Sequence, residues 1–291
     1  MNRSRTVNDN QPHEPDLLHC WPVHKIPHGS MTQTLSVAFI TKNEEANLRR
    51  TLQSVRWADE IVIVDNGSID ATESIARETG AKFFVEGWKG FGAQKNSAIA
   101  KCTSDWVLSL DADEEVSPGL AGEIRGLLTG APSHDAYFMP RRNFFLGRWI
   151  RHGGYYPDPK LRLFRRGAAR FEERAVHETV RSHGSPGHLR GDLLHHAYPT
   201  LDAYIEHMNA YSALGANLAI TGGKTSRGLL PFLWNVFLNP LATFQYNYIL
   251  RGGFLDGREG LLLHLYHSVY VSWKYAKAWE RAGKLPSSPH T

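Results

Sequence analysis

The sequence has little that would support a disulfide-stabilised or secreted protein. It contains only two cysteines, Cys20 and Cys102, in 291 residues, which is too few for a disulfide framework. The first 30 residues are polar and rich in histidine and proline, and they lack the apolar stretch of a secretory signal peptide. Both absences favour a reducing environment, so we expect a cytoplasmic protein.

Two phosphate-binding motifs are also missing. No GxGxxG follows the first predicted strand, and no GxxxxGK[ST] occurs in the sequence, so neither a dinucleotide-binding motif nor a P-loop is present. A nucleotidyltransferase would carry a glycine-rich basic loop after its first strand, where this chain has Lys42-Asn43-Glu44-Glu45. The formal net charge of +4 is too small for a polycation, and we expect no nucleic-acid partner.

What the sequence does contain is a globular composition with alternating strand and helix patterns. Hydrophobic residues make up 42% and charged residues 21% of the chain, as in folded domains. Helical patterns separate four predicted strands, and the alternation implies a parallel, doubly wound sheet that binds ligands at the carboxyl ends of its strands. The predicted strands are Leu35–Thr41, Glu60–Asp65, Ala81–Glu86 and Trp106–Leu110.

The second half of the sequence is less regular. Tyr137–Arg141 and Lys160–Arg166 read as strands, and the chain becomes helical and aromatic after Ala197. We therefore predict a disordered leader over residues 1–33, a catalytic domain over 34–196, a helical subdomain over 197–283 and a short tail over 284–291. Met31, just before the first strand, is an alternative start of the chain.

Leu229–Leu250 carries no charged residue over 22 positions. Two prolines and four Asn or Gln residues interrupt this stretch, which disfavours a membrane-spanning helix. Trp234, Tyr246 and the flanking Arg251 are typical of a segment that lies in the membrane interface. We expect peripheral membrane contact, with a helical subdomain that does not touch a membrane as the alternative.

Two aspartates directly follow the fourth predicted strand. Asp111 and Asp113 stand at the edge of the sheet where ligands are expected. Side chains at i and i+2 of an extended strand point to the same side, so the two carboxylates are expected to converge. Such oxygen ligands suit Mg²⁺ or Mn²⁺, which keeps waters and phosphate oxygens as its other ligands. The run predicts a divalent metal site that neutralises a diphosphate.

Several segments, taken in order, resemble glycosyltransferase family 2, whose catalytic domains have the nucleotide-sugar-binding GT-A fold. The resemblance implies an α/β domain with a mixed, mainly parallel sheet, followed here by a helical, membrane-associating subdomain. It covers about Leu35 to Glu280, and its later segments resemble a branch that contains the lipopolysaccharide core β-1,4-glucosyltransferases. The segments are TKNEE (41–45), VDNGSID (64–70), GAQKN (92–96), LDADE (110–114), RLFR (162–165), VHE (176–178) and GGFLDGREG (252–260).

The resemblance implies a set of residues that bind the nucleotide sugar. Thr41 and Glu44 would lie beside the nucleoside, and Asp65 would hydrogen bond the uracil or the ribose. Lys95 would lie near phosphate, and Arg162 would clamp the diphosphate, because arginine pairs with phosphate in a bidentate manner. The full set is Thr41, Glu44, Asp65, Gln94, Lys95, Asn96, Asp111 and Arg162.

The family resemblance also implies which residues bind the metal. Asp113 would bind the metal directly, and Asp111 would contact the ribose or a metal-bound water. His177 would be a further ligand or would orient its neighbour Glu178.

A general base is needed for an inverting transfer, because the acceptor hydroxyl must lose its proton as it attacks. The family match favours Glu178, with Glu172 and Glu173 as alternatives. Asp113 and Glu178 are therefore the predicted catalytic residues.

Other basic and histidine residues are assigned less specifically. Arg165 and Arg166 either help to clamp the diphosphate or face an anionic lipid or solvent. His195 and His196 are expected to be structural or to lie near the acceptor, since no zinc-binding spacing is present. Ten Lys and Arg residues against three Asp and Glu residues between Arg141 and Arg174 suit a phosphorylated ligand.

The sequence thus predicts an inverting, metal-dependent glycosyltransferase. The expected donor is UDP-glucose and the expected acceptor is a lipid-linked or phosphorylated saccharide such as the lipopolysaccharide inner core, at the inner face of a bacterial inner membrane. Transfer to polyprenyl phosphate or to another cell-surface polysaccharide is the alternative enzyme function. A nucleotide-sugar-binding scaffold is the non-enzymatic alternative.

Overall fold

A computed structural model describes residues 33–172 and 179–284, so most of the predicted leader and tail falls outside it. Strands and helices alternate in the first part of the chain, which confirms the four predicted strands and the helix that buries Leu48, Leu52 and Val55. The elements are β1 (Leu35–Thr41), α1 (Glu45–Ser54), β2 (Glu60–Asp65), α2 (Thr72–Glu78), β3 (Lys82–Val85), α3 (Phe91–Ala100) and β4 (Trp106–Asp111).

These strands form the parallel part of the main sheet. β1 pairs in parallel with both β2 and β4, and β2 pairs in parallel with β3. Val62, Ile63 and Val64 are consecutive in β2 and all fully buried, as expected when helices cover both faces of a parallel sheet. In the paired registers, Ile40 lies beside Asp111 and Thr41 beside Asp65. The carboxyl ends of β1, β2 and β4 therefore meet at one edge.

The chain then builds short strands around this core. They are β5 (Glu114–Val116), β6 (Ala136–Met139), β7 (Arg141–Phe145), β8 (Arg148–Ile150), β9 (Lys160–Arg165), β10 (Ala169–Phe171), β11 (Val180–Ser182), β12 (Gly187–His188) and β13 (Leu193–Tyr198), with α4 (Pro118–Thr129) after β5. The seven-stranded sheet has the order β12-β6-β9-β4-β1-β2-β3, with β9 antiparallel to both neighbours, and a second sheet has the order β5-β13-β7-β8. The sheet is thus mixed and mainly parallel.

The predicted strand Tyr137–Arg141 is in fact parts of two strands. β6 ends at Met139 in the main sheet, and β7 begins at Arg141 in the second sheet. Pro140 separates them and has no N–H to continue the ladder. Its carbonyl accepts a hydrogen bond from Leu193 N, so the proline stands where the chain passes between sheets.

Asp70 stands just before the start of α2. The helix begins at Thr72, and Asp70 accepts hydrogen bonds from Thr72 N at 3.0 Å and from Glu45 N at 3.1 Å. Glu73 does not complete a capping box, because it pairs with Arg77 one turn later. Asp70 therefore connects the start of α2 to the start of α1.

The C-terminal region is helical. It consists of α5 (Leu201–Thr221), α6 (Leu229–Leu233), a π-helical turn Trp234–Leu238, α7 (Asn239–Phe244), a second π-helical turn Gln245–Leu250, a 3₁₀ turn Gly253–Asp256 and α8 (Gly257–Lys284). α5 packs on α8 around Ala216, Ala219, Val271 and Ala278. Of the helices in the described part of the chain, none combines the length and apolar character that crossing a bilayer requires.

Asp256 connects this helical region to the second sheet. It is 1% exposed, and its Oδ2 accepts hydrogen bonds from the backbone N–H groups of Arg151 and His152 at 3.1 and 2.8 Å. Its Oδ1 lies 2.9 Å from His152 Nδ1. Asp256 therefore fixes the start of the loop of residues 151–155, which follows β8.

Candidate active site

Asp111 and Asp113 flank a tight turn at the carboxyl edge of the main sheet. β4 ends at Asp111, and Ala112 and Asp113 form the turn before β5. The fully buried Thr51 on α1 donates a hydrogen bond of 2.7 Å to the carbonyl of Ala112. The two carboxylates were expected to point to the same side as residues i and i+2 of a strand. Asp113 lies beyond the end of the strand, so this rule does not set its direction. Each carboxylate has its own partners.

Asp111 belongs to a buried group of charged side chains. Its Oδ1 is 2.7 Å from Lys95 Nζ, and its Oδ2 is 2.5 Å from Arg162 Nη2. The same Arg162 nitrogen lies 2.8 Å from Oε1 of the fully buried Glu114, which Arg141 Nη1 also contacts at 3.0 Å. Burial opposes ionisation of Asp111, but Arg162 and Lys95 outweigh it and hold the pKa of Asp111 well below its ordinary value. Both oxygens of this carboxylate are therefore engaged.

Asp113 faces His195, which was expected to be structural or to lie near the acceptor. Asp113 Oδ2 is 3.3 Å from His195 Nε2, and His195 Nδ1 is 2.7 Å from Asn143 Oδ1. The amide nitrogen of Asn143 donates to Tyr155 O and Asp158 Oδ2, so its Oδ1 is an acceptor and His195 Nδ1 must carry a proton. His195 Nδ1 is thus bound to Asn143, and Nε2 faces the carboxylate of Asp113.

The pKa of Asp113 also lies below its ordinary value. Burial has the largest effect and raises it, and the nearby Asp111 carboxylate adds to the rise, but the attraction and hydrogen bond of His195 and the charge of Arg141 together outweigh both and lower it. Asp113 is therefore ionised at neutral pH.

This pair of residues fits a divalent cation. The Asp113 carboxylate oxygen and His195 Nε2 lie 3.3 Å apart, and both could bind the same cation once Nε2 carries no proton. Within residues 33–172 and 179–284, no three His, Cys, Asp or Glu residues form a complete metal cluster. The remaining ligands would be waters and phosphate oxygens, which Mg²⁺ and Mn²⁺ usually keep. Asp113 is better placed for direct contact than Asp111, whose oxygens are already paired.

Thr41, Glu44 and Asp65 lie at the same edge of the sheet. Thr41 Oγ1 donates to Asp65 Oδ1 at 2.7 Å, and Ser68 N donates to Asp65 Oδ2 at 2.6 Å. Burial raises the pKa of Glu44; a hydrogen bond from Asn47 opposes the shift, and the nearby carboxylates of the Asp111 turn add to it. The structure therefore brings Glu44 close to the aspartates, while Asp65, 1% exposed, orders the loop after β2.

α3 carries three of the predicted nucleotide-binding residues in three settings. Lys95 joins Asp111, as described above. Gln94 is fully buried, its Oε1 accepts from Lys89 N at 3.2 Å, and its Nε2 has no hydrogen-bond partner among the described residues. Asn96 exchanges two hydrogen bonds with the backbone of Phe171, at 2.9 and 3.0 Å. The amide of Asn96 thus holds β10 against α3, a role that the sequence did not indicate.

Arg165 and Arg166 are not near this site, which disfavours the first of their two predicted alternatives, a contact with the diphosphate. β9 runs antiparallel to β4 and pairs Arg165 with Trp106, at the opposite end of β4 from Asp111. Arg165 Nε donates to Asp135 and Arg166 Nε to Ser104 O. Of Arg162, Arg165 and Arg166, the antiparallel direction of β9 places only Arg162 at the active edge.

The predicted base lies outside the described residues, as do His177 and Glu173. Its alternative Glu172 is described, and it accepts a hydrogen bond from Arg181 Nε. Glu172 N also donates to Thr179 O at 2.9 Å. The two ends of the segment 173–178 are therefore joined, directly after the Phe171 backbone that Asn96 binds.

Comparisons with known proteins identify relatives of this chain. Residues 36–180 match the family model described as glycosyl transferase family 2. The chain is similar to LpsC of Rhizobium meliloti, a lipopolysaccharide core biosynthesis glycosyltransferase, with 31% identity over 259 residues that cover 85% of this chain and 92% of LpsC. An uncharacterized glycosyltransferase of Rickettsia typhi is 48% identical over 131 residues, which span 45% of this chain and 42% of that protein.

A solved structure is similar over a smaller part. Glucosyl-3-phosphoglycerate synthase from Mycobacterium tuberculosis, crystallised with Mn²⁺, UDP and glucosyl-3-phosphoglycerate, is 24% identical to the aligned residues, with a TM-score of 0.34. The alignment covers 38% of this chain and 44% of that chain.

The buried group around Glu114 leads to a stability prediction. Glu114→Gln keeps the side-chain shape but removes the charge that Arg162 and Arg141 share. We expect it to lower the free energy of unfolding by about 3–5 kcal/mol, because removal of one partner leaves buried charges unpaired. Urea denaturation at pH 7 measures the change. Glu115→Gln, at a neighbouring side chain that is 25% exposed with ion pairs at 3.5 Å, should cost less than about 1 kcal/mol. Equal losses would contradict the assignment.

Proposed function

The chain belongs to glycosyltransferase family 2, and on this basis we propose that it transfers a sugar from a nucleoside-diphosphate donor to a lipid-linked saccharide. It is a glycosyltransferase of the GT-A fold, homologous to a lipopolysaccharide core glycosyltransferase. The observation that carries the proposal is the group of ionised carboxylates and cations at the carboxyl edge of β4, beside the ends of β1 and β2.

This charged group supports a diphosphate site. Asp113 and His195 would hold Mg²⁺ or Mn²⁺, and the cation, when bound, neutralises diphosphate oxygens and stabilises the leaving nucleoside diphosphate. Asp111 is already paired with Lys95 and Arg162, so we assign it to the ribose or to a metal-bound water. Lys95 is 5% exposed and stands close enough to this edge to contact a phosphate.

The nucleoside is proposed to bind beside α3 and the loops after β1 and β2. Thr41, Glu44 and Asp65 supply oxygen acceptors there. The buried Nε2 of Gln94 lacks an acceptor among the described residues, and a buried donor without a partner is costly. A polar atom of the nucleotide would satisfy it. Asn96 acts in this proposal by holding β10 in place, in addition to its predicted contact with the pocket.

Glu178 is proposed as the general base of an inverting transfer. It would take the proton of the acceptor hydroxyl as the oxygen attacks the anomeric carbon from the face opposite the diphosphate. Support comes from the strand that precedes Glu178 in the sequence. Asn96 binds the backbone of Phe171, the last residue of β10, and Asn96 is the neighbour of Lys95 in α3. The described residue Phe171, which precedes the segment that contains Glu178, is thus held beside the helix that carries Lys95. His177 is proposed to orient Glu178 or to add a metal ligand.

The donor sugar and the acceptor are proposed from the relatives. The similarity to LpsC over most of both chains supports an acceptor such as the lipopolysaccharide inner core, with glucose from UDP-glucose as the donor sugar. Transfer to polyprenyl phosphate or to another cell-surface polysaccharide is the alternative. A lipid-linked acceptor would require the enzyme to work at a membrane surface.

The helical segment 229–255 has an unusually apolar surface. Many of its large apolar side chains are at least 40% exposed, and several recur at helical spacing, which is typical of a helix lying in the membrane interface. We propose that this surface binds the inner face of the bacterial inner membrane. The residues are Leu229, Leu230, Leu233, Trp234, Phe237, Leu238, Leu241, Tyr246, Ile249, Leu250, Phe254 and Leu255.

The metal assignment predicts the effect of Asp113→Asn. This variant should lose Mn²⁺ binding in the presence of UDP and lose at least about 10²-fold in turnover, because one neutral oxygen replaces the charged ligand. Mn²⁺ binding is measured by electron paramagnetic resonance and turnover by UDP release. Asp158→Asn, whose carboxylate pairs with Arg141 and Lys160 instead, is the control and should still bind Mn²⁺. Full Mn²⁺ binding by Asp113→Asn would disprove the site.

The base assignment predicts a loss of turnover with donor binding kept. Glu178→Gln should reduce turnover by about 10²–10⁴-fold while the affinity for UDP-glucose, measured by calorimetry, stays unchanged. Glu172→Gln is the matched control, because Glu172 is already bound to Arg181. A larger loss of turnover in the Glu172 variant than in the Glu178 variant would identify Glu172 as the general base.

The membrane surface predicts a change in flotation. The double variant Leu230→Glu/Phe237→Glu should lower partitioning into vesicles of phosphatidylethanolamine and phosphatidylglycerol by at least about 100-fold, because each buried apolar side chain contributes about 1.5–3 kcal/mol. Ile69→Glu/Val85→Glu changes two apolar residues that are 92% and 64% exposed elsewhere and should float like the unmodified protein. Equal flotation of both variants would reject the surface.

A further inference from the structure

A cavity of about 610 Å³ lies next to the proposed metal ligands. One part of its lining comes from the second sheet and includes Asn143 and His195, whose Nε2 is 3.3 Å from Asp113. Another part comes from the C-terminal helical region and includes Asn247, Arg251 and His267. None of the proposed nucleoside contacts lines this cavity. It is therefore placed for the second substrate, the acceptor.

Arg251 is built into the wall of the cavity. Its backbone carbonyl accepts a hydrogen bond of 3.0 Å from Gly153 N. Its guanidinium lies so close to Gly154 that a Cβ at that position would be 2.2 Å from Nη1. Gly154 also has a φ of +89°, which side chains rarely adopt. The glycine thus leaves the space that the guanidinium occupies, and the Tyr246 ring, 5.7 Å away, lies on the same arginine.

The loop under this arginine is itself held in place. Asp256 accepts hydrogen bonds from the N–H groups of Arg151 and His152, and the ring of the buried His264 fills the space beside Gly153. Both contacts come from the C-terminal helical region. These contacts hold the loop that carries Gly154 against the segment that carries Arg251, so the position of Arg251 over Gly154 is fixed.

The charges in the cavity do not cancel. Asp158 is paired with Arg141 at 2.7 Å and with Lys160 at 2.8 Å. Burial lowers the pKa of His267, and nearby Lys274 adds to the shift, so His267 is neutral. In the part of the chain that the structure describes, no Asp or Glu forms an ion pair with Arg251. The cavity wall therefore presents a cation whose charge is free to attract an anion.

The geometry points to a specific acceptor chemistry. We propose that the cavity binds the saccharide acceptor through an anionic substituent, a phosphate or a carboxylate on the sugar, and that Arg251 is the residue that contacts it. A guanidinium suits either group because it offers two parallel N–H donors. The inference rests on the proposed function, since it assumes a saccharide acceptor. It adds which chemical group is recognised and by which residue.

Arg251→Gln tests the proposal with defined probes. Glucose 6-phosphate, glucuronic acid and glucose are titrated into protein saturated with UDP and Mn²⁺, so that the donor site is filled, and binding is followed by ligand-observed NMR. The unmodified protein should bind at least one anionic sugar more tightly than glucose. Arg251→Gln should weaken that binding by about 10- to 100-fold, the range for loss of one charged hydrogen-bonding partner. The phosphate and carboxylate arms show which anion is preferred.

The controls separate this proposal from the proposed function. Arg125→Gln, on the exposed face of α4, should bind all probes like the unmodified protein, and UDP affinity should not change in either variant. Arg251→Lys keeps the charge but loses the planar guanidinium, so it should bind the anionic sugars with intermediate affinity. If Arg251→Gln does not fold, the affinity of Arg251→Lys is the test of the proposal.

Two results would overturn the inference: anionic sugars that bind no better than glucose, or binding that Arg251 substitutions do not weaken. Failure of the unmodified protein to bind UDP would count against the proposed donor chemistry instead.

Discussion

The buried contact between Arg162 and two carboxylates holds the active edge together. One nitrogen of Arg162, a residue of β9, contacts Asp111 at the end of β4 and Glu114 at the start of β5. Charges removed from water are costly unless they are paired and hydrogen bonded. Lys95 and Arg141 complete the pairing from α3 and β7. Elements of both sheets thus meet at one charge-balanced group, and its geometry fixes where the Asp111–Asp113 turn stands.

This balance gives the two aspartates of one short motif different surroundings. Asp111 is surrounded by cations, so a metal ion would have to compete with Lys95 and Arg162 for its oxygens. Asp113, at the end of the turn, faces His195, whose Nδ1 is bound to Asn143, and forms no ion pair with Lys or Arg among the described residues. A divalent cation gains most where a carboxylate still lacks a cationic partner. The split follows from the turn at Ala112, which the carbonyl contact with Thr51 stabilises.

Local patterns predicted the fold well because buried strands and amphipathic helices are visible in consecutive residues. The four parallel strands were predicted within a residue or two, and the error at Pro140 came from a strand that changes sheet. From the residues alone, site positions could be predicted only at the end of a strand, as for Asp111 and Asp113, whereas Lys95 and Arg162 were expected only from the family resemblance. His195 and Asp256 were missed because their partners are far away in the sequence, and no spacing rule links them.

One short segment of the C-terminal region both lines the cavity and exposes apolar side chains. This segment, from Tyr246 to Asp256, contributes Arg251 to the cavity and also exposes Ile249, Leu250, Phe254 and Leu255. Helical spacing separates these two sets of side chains by only a turn. Asp256 ties the segment to the loop that borders the cavity, so it cannot shift without moving that border. An acceptor with a polar, anionic saccharide and an apolar anchor has both features that such a segment would recognise.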